Sequence, residues 1–219
     1  MKLLIAIGSC QLWEANGNNQ AVRDTWMKDI PSCTVDGYSE RIIDCFFFHG
    51  RGAEEKPDVV ILDVPDDKLG IVRKTKAIHA WAYQRDYDFV LQVWSDTFVD
   101  VSQILLSGFE KYDYFGSVHS GTGAPHAQWG FHCGGEGWWT SRAACKAIKD
   151  SDVDGELPKY DYGMADDLWV GDVVGAAGFS MTDHLGYGNG ITLHGSFHTS
   201  GDYNKEWMYQ TYDNRRQSS

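Results

Sequence analysis

The sequence predicts an α/β protein built on one sheet with helices packed against it. Short apolar runs rich in branched and aromatic side chains alternate with helical patterns, the rhythm of buried strands and their covering helices. The length of 219 residues suits a single hydrophobic core, and no Pro-, Ser- or Gly-rich linker divides it. The second half is rich in glycine, which predicts long loops over one end of the sheet.

In chain order, Leu3 to Ile7 reads as the first strand and breaks at Gly8-Ser9. It is too short for a secretory apolar segment and has only Lys2 as a basic flank. Cys45 to Phe48 and Val59 to Leu62 read as the next two strands. A helix follows near Lys68 to Gln84: Ile71, Thr75, Ile78 and Ala82 mark one face, Val72 and His79 lie beside it, and Arg73, Lys74, Lys76 and Arg85 supply charge. Phe89 to Val93 is a fourth strand. Thr140 to Lys149 and Asp166 to Ala177 read as two further helices, each opened by a cap or an acidic first turn, with Asp150 to Gly163 a loop between them. Gly116 to Gly137 and Gly186 to Gly190 are the glycine-rich loops. Residues 1–205 are expected to form the domain, and 206–219 a polar and aromatic tail with frayed last residues.

Composition excludes several classes. There are 19 basic and 31 acidic side chains, a formal charge of -12 and 42% hydrophobic residues, which excludes disorder and collagen-like repeats. So acidic a chain lacks the basic footprint of a protein that grips a polyanion. No stretch approaches the roughly 20 apolar residues of a membrane-spanning helix. The five cysteines, Cys10, Cys33, Cys45, Cys133 and Cys145, are odd in number and widely spaced, which indicates neither a zinc cage nor a disulfide framework. A cytoplasmic, reduced protein is expected, with no membrane partner.

Four constellations could carry chemistry. Trp94-Ser95-Asp96-Thr97-Phe98-Val99 follows a buried-looking strand, where an Asp is placed for a metal or a metal-bound diphosphate; a turn cap needs the same residue. In Cys133-Gly134-Gly135-Glu136-Gly137-Trp138-Trp139 the glycines allow close backbone approach and the tryptophans offer faces for stacking on a sugar or base; a tight turn with core aromatics reads equally well. Asp166-Asp167 opens a helix, whose dipole stabilises the ionised form of a general base, although ordinary capping requires no less. His194 and His198 lie late in the chain, where an imidazole can complete a metal site begun by a distant Asp.

The order and wording of these pieces resemble the family 31 glycosyltransferases, the β-1,3-galactosyltransferase, core 1 galactosyltransferase and Fringe group, over about Leu3 to Thr199. Ala21-Val22-Arg23-Asp24-Thr25-Trp26 resembles the family's Ala-Ile-Arg-x-Thr-Trp, and Lys74-Thr75-Lys76 the Lys-Thr-Lys of its core 1 branch. Trp94-Ser95-Asp96-Thr97-Phe98-Val99 falls where the family has Asp-Asp-Asp-Thr-Tyr/Phe-Val. Gly134-Gly135-Glu136-Gly137-Trp138 with Ser141 is similar to Gly-Gly-x-Gly-Tyr-x-x-Ser. Asp166-Asp167-Leu168-Trp169-Val170-Gly171 is similar to Glu-Asp-Val-x-Val-Gly, and Phe197-His198-Thr199 to Phe-His-Ser/Pro.

The resemblance implies a GT-A fold, a Rossmann-like mixed and mostly parallel sheet flanked by helices. It also implies inverting transfer of a sugar from a nucleotide-diphosphate donor, UDP above others, to an acceptor hydroxyl. In that reading Asp96 and His198 hold Mn²⁺ or Mg²⁺, with His194 the alternative to His198. Asp167, or else Asp166, is the general base. Ser9, Arg23, Lys74 or Lys76, Trp94, Ser95, Asp96 and Gly135 frame the donor, and Trp138 or Trp139 forms a wall under a sugar. The acceptor, whether glycan, protein, small molecule or modified nucleic-acid base, stays open. Trp94 and Ser95 replace two of the motif's three acids, which keeps a non-catalytic nucleotide-sugar or glycan binding module as the alternative. A metal-dependent hydrolase on the same residues is disfavoured, because no two-metal cluster or nucleophile elbow is present.

Overall fold

The structure, a computed structural model, describes residues 1–32, 42–67, 70–104, 106–119, 131–132, 134–156, 166–183, 191–195 and 205–217. Strand β1 (Lys2–Gly8) leads through helices α1 (Gln11–Ala15) and α2 (Asn18–Asp24) to β2 (Ile42–His49) and β3 (Val59–Ile61). Helix α3 (Ile71–Gln84) then crosses to β4 (Phe89–Trp94), followed by β5 (Thr97–Val99), α4 (Val101–Ile104), β6 (Tyr114–Gly116), β7 (Val118–His119) and β8 (Phe131–His132). The last third contains β9 (Trp138–Ser141), α5 (Arg142–Asp150), α6 (Val153–Glu156), α7 (Asp166–Ala176), β10 (Met181–Asp183), β11 (Thr192–His194) and α8 (Lys205–Gln217).

Seven strands form the main sheet in the order β10-β6-β9-β4-β1-β2-β3. Within this sheet, among the described residues, only β9 runs antiparallel to its neighbours, β4 and β6; the other pairs of the sheet are parallel. This is the mixed, mostly parallel α/β architecture expected. The central strand shows why the sequence folds so. Side chains alternate across a strand, so Leu3, Ile5 and Ile7 enter a core completed by Trp26, Trp139, Met208 and Tyr212. Leu4 and Ala6 enter the opposite core, against Ile78 and Ala82 of α3. Both faces of β1 are covered, which demands a continuous apolar run rather than an alternating one.

Three expectations change. Thr140 and Ser141 end strand β9 rather than start a helix; the Ser141 hydroxyl caps α5 by accepting from the Ala144 N–H. Residues 206–217 belong to helix α8, whose buried Met208 and Tyr212 pack into the main core. The loop after Asp150 holds the short helix α6, and residues 157–165 lie outside the described residues, as do most of the two glycine-rich loops.

Candidate functional site

From β1 the chain steps outward to β2 and β3, then returns across the sheet to β4 on the other side of β1. The loops after β1 and β4 therefore diverge, and such a switch point opens a crevice at the carboxyl ends of the strands. A cavity of about 600 Å³ lies there, lined by the loop after β1, the loop before α3, the end of β4, the glycine turn before β9, the start of α7 and the end of β11.

Asp96 sits in the turn between β4 and β5. Strand β11 pairs antiparallel with β5, setting His194 opposite Thr97, and this register brings His194 Nε2 to 2.9 Å from Asp96 Oδ2. The other carboxylate oxygen, Oδ1, is buried with no hydrogen-bond partner among the described residues, and Asp96 is only 7% exposed. The glycine turn makes room for this pair. A Cβ on Gly135 would lie 2.3 Å from His194 Nδ1, while the Gly135 carbonyl accepts from Thr97 Oγ1 at 2.8 Å. Gly135→Ala is accordingly expected to displace the His194 ring and lower stability by about 1–3 kcal/mol through overpacking. Thermal melts check this, and the cost should largely vanish in a His194→Ala background.

The two acids at the start of α7 have different surroundings. Asp166 is 5% exposed, and its Oδ2 accepts from Thr75 Oγ1 at 3.0 Å. Burial, followed by the charge of adjacent Asp167, raises the Asp166 carboxyl well above its ordinary range, against the opposing bond from Thr75. Asp167 is half-buried; its Oδ1 accepts from the Leu168 N–H at 2.8 Å and its Oδ2 from the Gly134 N–H at 3.3 Å. Where environments push two neighbouring carboxyls apart, the pair divides into an acid and an anion.

On the opposite wall, Lys74 is buried, and its ammonium donates to the Ser9 carbonyl and, at 2.9 Å, to Asp66 Oδ1. Asp66 also accepts from the N–H groups of Gln11 and Gly50. Burial opposes its charge, but these bonds prevail and hold its carboxyl below the ordinary value. Trp94, register partner of Gly8, lies across that glycine, where a Cβ would meet the ring at 2.4 Å. With Trp13, Leu12 and Ile71 it forms the apolar side of the cavity.

The cavity thus brings together Ser9, Lys74, Trp94, Asp96, Gly135, Asp166 and Asp167. Other sequence candidates lie elsewhere. Trp138 and Trp139 are 0% and 2% exposed and do not form a sugar wall; as successive residues of β9 they point into opposite cores, Trp139 stacked on Phe109. Arg23 does not reach the cavity, because it is held by Glu14 at 2.8 Å and Asp58 at 2.6 Å. Burial works against charge at Glu14, but bonds from Arg23, Lys56 and Asn19 bring its carboxyl down to about 2. Ser95 is buried behind the wall, with its hydroxyl 3.3 Å from that of Ser9. Lys76 donates to the Ser151 carbonyl, and His198 lies outside the described residues. Sequence reasoning missed Trp13, Asp66 and Asp67; Trp13 could have been flagged by its place just after the first strand, where switch-point ligands gather.

Among the described residues, no cluster of three or more His, Cys, Asp or Glu could hold a metal ion. The Asp96–His194 pair nonetheless fits two protein ligands of one. Neighbouring ligands in an octahedron of about 2.1 Å bonds lie about 3 Å apart, close to the observed 2.9 Å, and Asp96 Oδ1 has no other partner. The remaining positions would need donors from a ligand or water. Among the described residues, five carboxyls (Asp66, Asp67, Asp96, Asp166 and Asp167) and one lysine, Lys74, line the cavity, an acid-rich lining in which a bound cation would offset repulsion of an anionic ligand.

No family model and no curated protein match the chain. Solved structures to which it is similar include an active-site mutant of LgtC, at 10% identity over 98% of this chain and 96% of that one, with a TM-score of 0.48. The apo-form glycosyltransferase GlyE of Streptococcus pneumoniae is similar at 12% identity over 84% of this chain and 45% of that one, TM-score 0.47. The 2-C-methyl-D-erythritol 4-phosphate cytidylyltransferase of Thermus thermophilus is similar at 11% identity over 99% and 98%, TM-score 0.44. With identities and TM-scores this low, the reading of the site rests on its own residues.

Proposed function

We propose that the chain is an inverting, metal-dependent glycosyltransferase of the GT-A type, moving a sugar from a nucleotide diphosphate, UDP above others, to an acceptor hydroxyl. One observation carries the reading. A carboxyl at a helix start, Asp167, and the Asp96–His194 pair line the same acid-rich cavity at the switch point of the sheet. Neither feature alone separates function from structure, but a capping Asp has no need to share a cavity with an orphaned carboxylate oxygen.

In this reading Asp167, oriented by the Leu168 and Gly134 N–H groups, takes the proton of the acceptor hydroxyl. The acceptor oxygen then attacks the anomeric carbon as the bond to the diphosphate breaks on the opposite face. Asp96 and His194 would hold the divalent ion, Mn²⁺ or Mg²⁺, which when bound would neutralise the diphosphate and the charge building on the leaving group. Lys74 supplies a fixed positive charge in the lining, and Trp13 and Trp94 the flat apolar faces against which a sugar or base can rest. Residues 1–205 would carry this site, joined by the helix that follows. The setting would be cytoplasmic and reducing, in keeping with the free thiols of Cys10, Cys45 and Cys145. Among the described residues, no helix is long and apolar enough to cross a membrane.

The test is a thermal-shift panel of nucleotide-diphosphate sugars, each with Mn²⁺ and with chelator. A donor at a hundred times its dissociation constant stabilises the native state by about 2.7 kcal/mol. The expected result is an upward shift for one donor that chelator removes, followed by turnover once an acceptor is supplied. A folded protein that no donor shifts would overturn the reading. A donor that binds without hydrolysis or transfer to any acceptor would favour the non-catalytic module, to which the replacement of two motif acids by Trp94 and Ser95 points.

A further inference from the structure

We propose that Thr75 and Gln92 are positioning residues: a buried chain from Gln92 through Thr75 fixes the Asp166 carboxyl in place beside Asp167, in a pair whose deeper member gives up its charge to burial and leaves one negative charge on Asp167. The role of Asp167 rests on the glycosyltransferase reading; the chain itself does not.

Thr75 and Gln92 are fully buried, and each stands on a different element from Asp166, on α3 and β4. Gln92 Nε2 donates to Thr75 Oγ1 at 2.9 Å, and Thr75 Oγ1 donates to Asp166 Oδ2 at 3.0 Å. An amide nitrogen can only donate, so the threonine oxygen must accept from Gln92, and its single hydrogen is left for Asp166. The chain therefore has a fixed direction. Its middle member is anchored as well: the Thr75 carbonyl lies 2.9 Å from His79 Nδ1, and His79 Nε2 lies 3.1 Å from Thr140 Oγ1 on β9. Helices α3 and α7 and strands β4 and β9 are thus tied together directly behind the two acids.

Two adjacent carboxylates away from water cannot both stay ionised cheaply. The surroundings decide which one gives up its charge. Both acids line the cavity and both accept backbone N–H bonds, Asp166 from the start of its own helix and Asp167 from Leu168 and Gly134, so burial decides: Asp166 is 5% exposed with neutral partners in Thr75 and Gln92, whereas Asp167 is half-buried. Among the described residues, the other titratable groups are Lys74 and His79 on α3, Tyr114 on β6, whose hydroxyl burial and the two acids push up, and, lining the cavity, Cys10, Asp66, Asp67, Asp96 and His194. Lys74 is engaged by Asp66. His79 is kept neutral because burial brings it down to about 4, despite the bond with the Thr75 carbonyl. The raised Asp166 carboxyl agrees with this division. A hydroxyl is suited to the middle position because it fixes Asp166 Oδ2 in place without adding a compensating charge.

The experiment combines NMR titration of isotope-labelled aspartate carboxyls in the donor-free protein with steady-state kinetics, for wild type, Thr75→Val and Thr75→Ser. In wild type, Asp166 should be protonated and Asp167 ionised at neutral pH. Thr75→Val removes a bond to the charged form, so the Asp166 titration should move to still higher pH; Thr75→Ser should return it. With its anchor lost, Thr75→Val should lower kcat by about tenfold to a hundredfold, the scale of a small misplacement of a reacting group, with donor affinity unchanged; Thr75→Ser should restore kcat. Two ionised carboxyls in wild type would overturn the proposal even if Thr75→Val fails to fold, as would a Thr75→Val titration that stays in place. If the titrations behave as stated but wild type turns over no donor, the chain stands and the glycosyltransferase reading falls.

Discussion

Asp167→Asn is expected to lower turnover by about 10² to 10⁴, the usual loss on removing a general base, while leaving metal-dependent donor binding intact. The substitution is nearly isosteric. An asparagine oxygen can still accept the Leu168 N–H bond that orients Asp167, so geometry survives and only the capacity to take a proton is lost. The neighbouring acid cannot easily substitute, because Asp166, although it also lines the cavity, is 5% exposed, fixed by Thr75, and holds its proton to higher pH. Pre-steady-state kinetics separate the chemical step from donor binding. If Asp166→Asn produces the large loss and Asp167→Asn is silent, the base moves by one residue and the charge division argued above is reversed.

The parts of this molecule that were legible in the sequence are those whose physics is local. Strands β1 to β4 carry apolar runs because helices cover both faces of the sheet, and α3 shows its buried face at helical spacing through Thr75, Ile78 and Ala82. The short strands β6, β9 and β10 were not legible, at three or four residues each. In β9, Trp138 and Trp139 stood next to a glycine turn and read as a stacking surface, although period-two alternation buries them in separate cores. Site residues at the ends of elements could be read, since the crevice of such a sheet opens there: Ser9 after β1, Asp96 after β4, and Asp166 and Asp167 at the start of α7. Long-range pairing could not. Arg23 is claimed by Asp58, 35 residues away, and Asp96 meets a histidine 98 residues on, chosen by the register of β5 against β11 rather than by any spacing in the chain. Lys74 was legible as a cation near the site, but its engagement by Asp66 was not.

The second large effect is expected at Asp96, where replacement by alanine should abolish the metal-dependent part of donor binding without unfolding the protein. Asp96 contributes little to the fold that would be missed. Its Oδ1 is buried without a partner, and an unsatisfied buried acceptor costs about 1–3 kcal/mol, which offsets the loss of the hydrogen bond to His194. The metal-free melting temperature should therefore stay level or rise, the opposite of what removing a structural turn cap would do. Ligand-bound behaviour should change completely. Without Asp96 the cavity loses one of its two candidate ligands, while Asp66, Asp67 and Asp167 remain to repel a diphosphate, so the shift with donor and Mn²⁺ should fall to the level seen with chelator. His194→Ala should be a weaker version of the same lesion, because the carboxylate supplies charge as well as a ligand. A fall in metal-free stability with donor affinity unchanged would return Asp96 to the role of a turn residue. An intact metal-dependent shift in both variants would place the cation elsewhere in the molecule.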